Sequence, residues 1–72
     1  KNMTIKKQFF VNGHEFYTDI DITLSDLIYY FNYTTSLFVL EYNNSIYEKT
    51  QWNKIFITNN DKIEIVTIVG GG

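Results

Sequence analysis

One short stretch limits the folds open to this chain more than any other: Leu24, Leu27, Ile28 and Phe31 recur at i, i+3, i+4 and i+7. That spacing places all four side chains on one face of a single amphipathic helix. Thr23-Leu24-Ser25-Asp26 marks its start, because a Ser/Thr-x-x-acid pattern satisfies backbone N–H groups that the first turn leaves free. The helix is expected to end near Asn32, after about two and a half turns. A lone amphipathic helix must bury its stripe against another kind of element, and the rest of the chain supplies strands.

Residues 4–11 are rich in apolar and β-branched side chains and run straight into Asn12-Gly13. That dipeptide is the strongest short hairpin signal, since both central positions of a type I′ turn need positive φ. Residues 14–18 then return antiparallel. Residues 37–42 read as a strand, Asn43-Asn44 as a turn tolerant of left-handed backbone, and Ile46-Tyr47 as a short strand. Thr50-Gln51-Trp52 opens a single tight turn, with Trp52 plugging the core. Asn59-Asn60-Asp61 marks a last turn before residues 62–69, the clearest strand of all. Within it Ile63, Ile65 and Thr67 share one face, and Glu64, Val66 and Ile68 the other. The expected fold class is α+β: a mixed sheet of four to five strands with one main helix packed on one face. This is the layout of the β-grasp, or ubiquitin-like, roll. The domain is expected over residues 1–69, with a flexible tail at 70–72.

A 72-residue chain buries only about 60% of the surface it exposes when unfolded, so its core is thin. Six Tyr, six Phe and Trp52 compensate, each removing a large apolar area from water. The absence of Cys excludes disulfides, thiolate metal sites and a cysteine nucleophile, and points to a reducing compartment or to a core that needs no staples. A net charge of -2 steers the chain toward neither nucleic acid nor an anionic membrane, and Lys1, Lys6 and Lys7 read as a solvated strand end. No apolar run approaches the roughly 20 residues of a membrane span, and the first residues lack the basic-then-apolar layout of a secretory signal. His14 has no second His nearby. Asp19, Asp21 and Asp26 match no calcium-loop spacing, and Tyr29-Tyr30-Phe31 lacks the basic neighbours of a base-stacking platform. No Ser-His-acid set, phosphate loop or paired-carboxylate cleft can be assembled, so catalysis by this chain alone is not expected.

Gly70, Gly71 and Gly72 follow a strongly β-forming strand without a break. Three glycines in a row stabilise no fold, because glycine loses the most backbone freedom on ordering. One reading is a frayed terminus. The other is shape: without Cβ atoms the tail is the thinnest peptide available, and it extends about 10 Å past Val69. That reach delivers the carboxylate of Gly72 into another protein's active site. A carboxylate is a poor electrophile and must first be activated, for example as a mixed anhydride with AMP. If sulfur is carried, a chain without Cys can hold it only on that terminal carbonyl, as a thiocarboxylate. The glycines alone fit ubiquitin-type conjugation equally well.

Four stretches resemble the ThiS family, the sulfur carriers of thiamine thiazole biosynthesis. They are Val11-Asn12-Gly13, Thr23-Leu24-Ser25-Asp26-Leu27-Ile28, Gln51-Trp52, and above all Asp61-Lys62-Ile63-Glu64-Ile65-Val66-Thr67-Ile68-Val69-Gly70-Gly71-Gly72. The resemblance spans essentially the whole chain, while residues 33–36 and 47–50 match little of it. It implies a carrier, not an enzyme, acted on by three partners. An E1-like adenylating enzyme would activate Gly72 with ATP, a cysteine desulfurase or other persulfide donor would supply sulfur, and a thiazole synthase would accept it. ATP and metal would belong to the activating enzyme, leaving this chain without a cofactor or metal of its own. The free chain is expected as a monomer, in a bacterial cytoplasm or a plastid stroma. Ordering three glycines costs entropy, so a docking surface on the folded part is also expected. If Ile63 and Ile65 face the helix, then Val66 and Ile68, with Val69, form that surface beside the tail; the alternative has them covered by loops or aromatics. Rival readings are a carrier like the small subunit of molybdopterin synthase, a ubiquitin-like modifier, and a non-covalent β-grasp interaction module.

Overall fold

The computed structural model describes residues 6–33 and 37–68. Along the chain these form β1 (Lys7–Val11), β2 (His14–Thr18), α1 (Leu24–Tyr30), β3 (Phe38–Tyr42), β4 (Ser45–Ile46), a 3₁₀ helix (Lys49–Lys54) and β5 (Asp61–Thr67). The five strands make one sheet in the order β2-β1-β5-β3-β4. β1 and β5 run parallel, and the other neighbours are antiparallel. With α1 on one face, this is the β-grasp roll. The last strand in sequence is the central one in space.

Asparagine shapes the turns. Asn12, Asn32, Asn43, Asn44 and Asn60 all have positive φ, and Gly13 joins them at 83°. Asn tolerates the left-handed region because its short polar side chain bonds locally. Two of these residues do more than turn the chain. The Asn12 amide accepts from Ile65 N at 2.7 Å and donates to Ile65 O at 3.2 Å, extending the β1–β5 ladder past the end of β1. On the other side of β5, Asn43 accepts from Lys62 N at 2.8 Å through its side chain and donates its own N–H to Lys62 O at 2.7 Å.

Thr23 caps α1 as expected: its hydroxyl accepts from Asp26 N at 3.1 Å, and the Asp26 carboxylate accepts from Thr23 N at 2.9 Å. Leu24, Leu27 and Ile28 of the stripe are buried, and Phe31, at the C-cap, is half-buried. They pack on Phe9, Val11, Leu40, Ile63 and Ile65 from the sheet, with Trp52 and Ile57 closing the side. Trp52 stacks on Phe38 at 5.4 Å and donates its indole N–H to Tyr47 O at 3.0 Å. Each of those apolar side chains contributes roughly 1.5–3 kcal/mol through burial.

Several boundaries move. Among the described residues the first strand begins at Lys7 and the last at Asp61, the short strand is Ser45–Ile46 instead of Ile46-Tyr47, and the tight turn lengthens to Lys49–Lys54. Residues 4, 5 and 69 of the expected strands lie outside the described residues. Thr67 is exposed although it shares a face with buried Ile63 and Ile65. The reason is length: seven residues of helix span about 10 Å, whereas seven of strand span about 23 Å. The expected boundary between domain and tail lies outside the described residues.

Candidate functional site

Alternation along β5 sends Ile63 and Ile65 into the core, at 0% and 6% exposed, and turns Lys62, Glu64, Val66 and Ile68 to the opposite, uncovered face. Val66 is 54% exposed and Ile68 50%. Among the described residues neither is covered by loops or aromatics. Across the antiparallel register with β3, Val66 faces Val39, and Ile68 N donates to Leu37 O at 2.9 Å. Leu37, Val39, Val66 and Ile68 therefore form a continuous apolar patch at the end of the central strand. Glu41 and Glu64 sit opposite each other on the same face and border the patch with negative charge.

The strand that carries this patch is held tightly at its start. Asp61, the first residue of β5, is nearly fully buried and accepts four hydrogen bonds. They come from Tyr42 Oη at 2.6 Å, Asn43 Nδ2 at 3.0 Å, Thr58 N at 2.6 Å and Thr58 Oγ1 at 2.9 Å. Burial pushes the Asp61 carboxyl up, but the donors from Asn43, Thr58 and Tyr42 together outweigh it and hold the carboxyl below its usual range. Tyr42 moves the other way: burial first, then its bond to the Asp61 carboxylate, raises the phenol to about 12. Asp61 locks the 58–61 turn to β3, and Asn12 ties the hairpin tip to Ile65. Between them they anchor β5 at Asp61 and at Ile65.

Of the residues expected from the sequence to form the site, Val66 and Ile68 are brought together on one face. Val69, Gly70, Gly71 and Gly72 lie outside the described residues. His14 is exposed, Asp26 serves the helix cap, and Asp21 pairs with Lys7 at 2.7 Å. Among the described residues no group of three His, Cys, Asp or Glu side chains is placed to hold a metal ion, and no helix is long and apolar enough to cross a membrane. Sequence reasoning missed Leu37, Val39 and the Glu41–Glu64 pair. Alternation within residues 37–42 carried a faint signal, but nothing local names β3 as the neighbour of β5.

Residues 9–72 match the family model described as the ThiS family. The ycf40 protein of Trieres chinensis is 64% identical over 66 residues, covering 92% of this chain and 90% of that protein. The ycf40 protein of Porphyra purpurea is 31% identical over 72 residues, covering 100% of this chain and 96% of its own length. Among solved structures, the thiamine biosynthesis protein (ThiS) from Geobacter metallireducens is similar in fold. Its TM-score is 0.76 at 19% identity, over 90% of this chain and 99% of that one.

Proposed function

The chain belongs to the ThiS family, and from that premise we propose that it is a sulfur carrier whose working group is the C-terminal carboxylate of Gly72. The chemistry follows from that group. ATP converts the carboxylate to an acyl-adenylate on an E1-like enzyme, with pyrophosphate leaving. The outer sulfur of a donor's persulfide then displaces AMP to give an acyl disulfide. A thiol of a partner protein attacks the donor-side sulfur, forming a disulfide and releasing the thiocarboxylate. The thiocarboxylate hands its sulfur to a thiazole synthase in thiamine formation, which returns Gly72 to a carboxylate. This chain contributes the acyl group and the surface that presents it, and the activating enzyme contributes ATP and metal. The stroma of a plastid is the proposed compartment; the relatives of this chain carry the name ycf40.

One observation carries the reading: the apolar patch of Leu37, Val39, Val66 and Ile68 lies at the end of the central strand, and the glycines follow that strand in sequence. Ordering three glycines costs entropy, so a docking surface close to the root of the tail is needed, and an uncovered apolar patch desolvates readily against a partner. Gly70 and Gly71 carry no side chain to obstruct a narrow channel, and Val69 stands between Ile68 and them in sequence.

Intact mass after incubation with an E1-like adenylating enzyme, ATP and a persulfide donor tests the proposal. Replacement of one oxygen by sulfur is expected. An added protein mass would mark a ubiquitin-like modifier instead, and an unchanged mass would overturn the carrier reading.

A further inference from the structure

The two edges of the sheet are finished differently. β4 is two residues long and offers little backbone to pair with. β2 has five residues, pairs in unbroken register with β1, and meets no other strand among the described residues. Its sequence, His-Glu-Phe-Tyr-Thr, contains neither the proline nor the lysine that usually protects an open edge.

The direction of its free backbone groups follows from β1. Gln8 O accepts from Asn60 N at 2.5 Å, and Asn12 N donates to Ile63 O at 2.9 Å, so Gln8, Phe10 and Asn12 address β5. The alternate residues Lys7, Phe9 and Val11 therefore exchange hydrogen bonds with Thr18, Phe16 and His14. That leaves the N–H and C=O groups of Glu15 and Tyr17 aimed away from the sheet. Beside them a groove runs between β2 and the flank of α1, walled by Phe16, Ile20, Ile22, Leu27, Tyr30 and Phe31. Ile20 and Tyr30 are 62% and 79% exposed, so its apolar walls are open to solvent. The surrounding charge is mainly acidic: residues 14–30 hold Glu15, Asp19, Asp21 and Asp26 and no Lys or Arg, while Lys6, over the Tyr17 ring at 5.5 Å, stands beside β2. Lys7, bound to Asp21, reaches in from β1.

We propose that β2 and this groove bind an extended segment of another protein as a sixth strand. The segment is apolar at alternate positions and carries Lys or Arg beside them. Main-chain bonds to Glu15 and Tyr17 would supply register, the groove would take one row of side chains, and the carboxylates would select a basic flank. A second copy of this chain fits worse, because pairing β2 with β2 would set the same carboxylates against each other. The surface lies two strands away from β5, and it stands whether or not Gly72 carries sulfur.

Titrating the ¹⁵N-labelled full chain with the synthetic peptide Lys-Arg-Val-Thr-Ile-Thr-Val tests this. Amide shifts are expected at residues 14–20 and 26–31, with slowed hydrogen exchange at Glu15 and Tyr17. Replacing Lys-Arg by Glu-Glu in the peptide, or Asp19→Lys in the protein, should weaken binding about tenfold. Asp19→Lys alters an exposed side chain, so an unchanged melting temperature separates lost binding from lost folding. The proposal is overturned by an absence of shifts, by equal binding of the acidic peptide, or by shifts at residues 37–39 and 64–68 instead. Self-association through β2 in sedimentation would overturn it equally.

Discussion

Asp61 is a carboxylate taken into a thin core, and its four donors make that tolerable. Asp61→Ala leaves those donors facing an apolar gap and is expected to lower unfolding free energy by about 3 kcal/mol in a urea titration. The pH dependence has a definite sign. The folded pKa lies below the unfolded one, so the stabilisation is complete above the ordinary carboxylate range and is lost as pH falls through the folded value. Wild-type protein should therefore lose more stability between pH about 5 and about 2 than Asp61→Asn does. Tyr42 has the opposite sense: its folded pKa is raised to about 12, so its contribution is complete below the ordinary value of 10.0 and fades as pH rises toward 12. Tyr42→Phe should flatten that alkaline loss. In the sequence Asp61 reads only as a turn residue, because its partners Tyr42, Asn43 and Thr58 are joined to it by folding.

At the scale of elements, seven residues of helix cannot persist alone in water, so α1 exists because its stripe is buried and its first turn is capped. Thr23→Ala removes the cap and should cost about 1 kcal/mol, read as a lower urea midpoint with an unchanged slope. At Gly13 the β1–β2 turn is constrained by backbone conformation alone. A Cβ at Gly13 would meet nothing within 4 Å, but its φ of 83° is strained for any L side chain. Gly13→Ala should therefore cost about 1 kcal/mol without disturbing the core. Both signals are local, and both were legible: Thr23-x-x-Asp26 announces the helix, and Asn12-Gly13 announces the hairpin. The 3₁₀ helix was legible only as a single turn, since its length depends on Trp52 reaching Phe38.

At the scale of the whole molecule, the sheet puts buried Ile63 and Ile65 on one face and exposed Val66 and Ile68 on the other. Ile63→Ala opens the centre of a small core and should cost about 2–5 kcal/mol by thermal or chemical unfolding. Val66→Asp with Ile68→Asp changes only exposed positions on the other face, so folding stability should stay within roughly 1 kcal/mol of wild type. Under the carrier reading the same pair abolishes adenylation by the partner enzyme, measured as pyrophosphate release. Normal adenylation of that folded variant would remove the patch from the mechanism. Appending one alanine after Gly72 should stop sulfur transfer while leaving the melting temperature unchanged.

Periodicity and turn chemistry act over a few residues, so the chain's own letters sufficed for the helix, the hairpin, the alternating faces of the last strand and the likeness to the ThiS family. They also marked Val66 and Ile68 as one exposed face, provided Ile63 and Ile65 turned inward. Which strands become neighbours is decided by long-range burial, and no local pattern encodes it. Only the tertiary structure made β5 central, set Val39 against Val66 and Glu41 against Glu64, and drew Asp61 inside. It alone left the edge of β2 open beside an apolar groove, because one short helix cannot cover a five-stranded sheet.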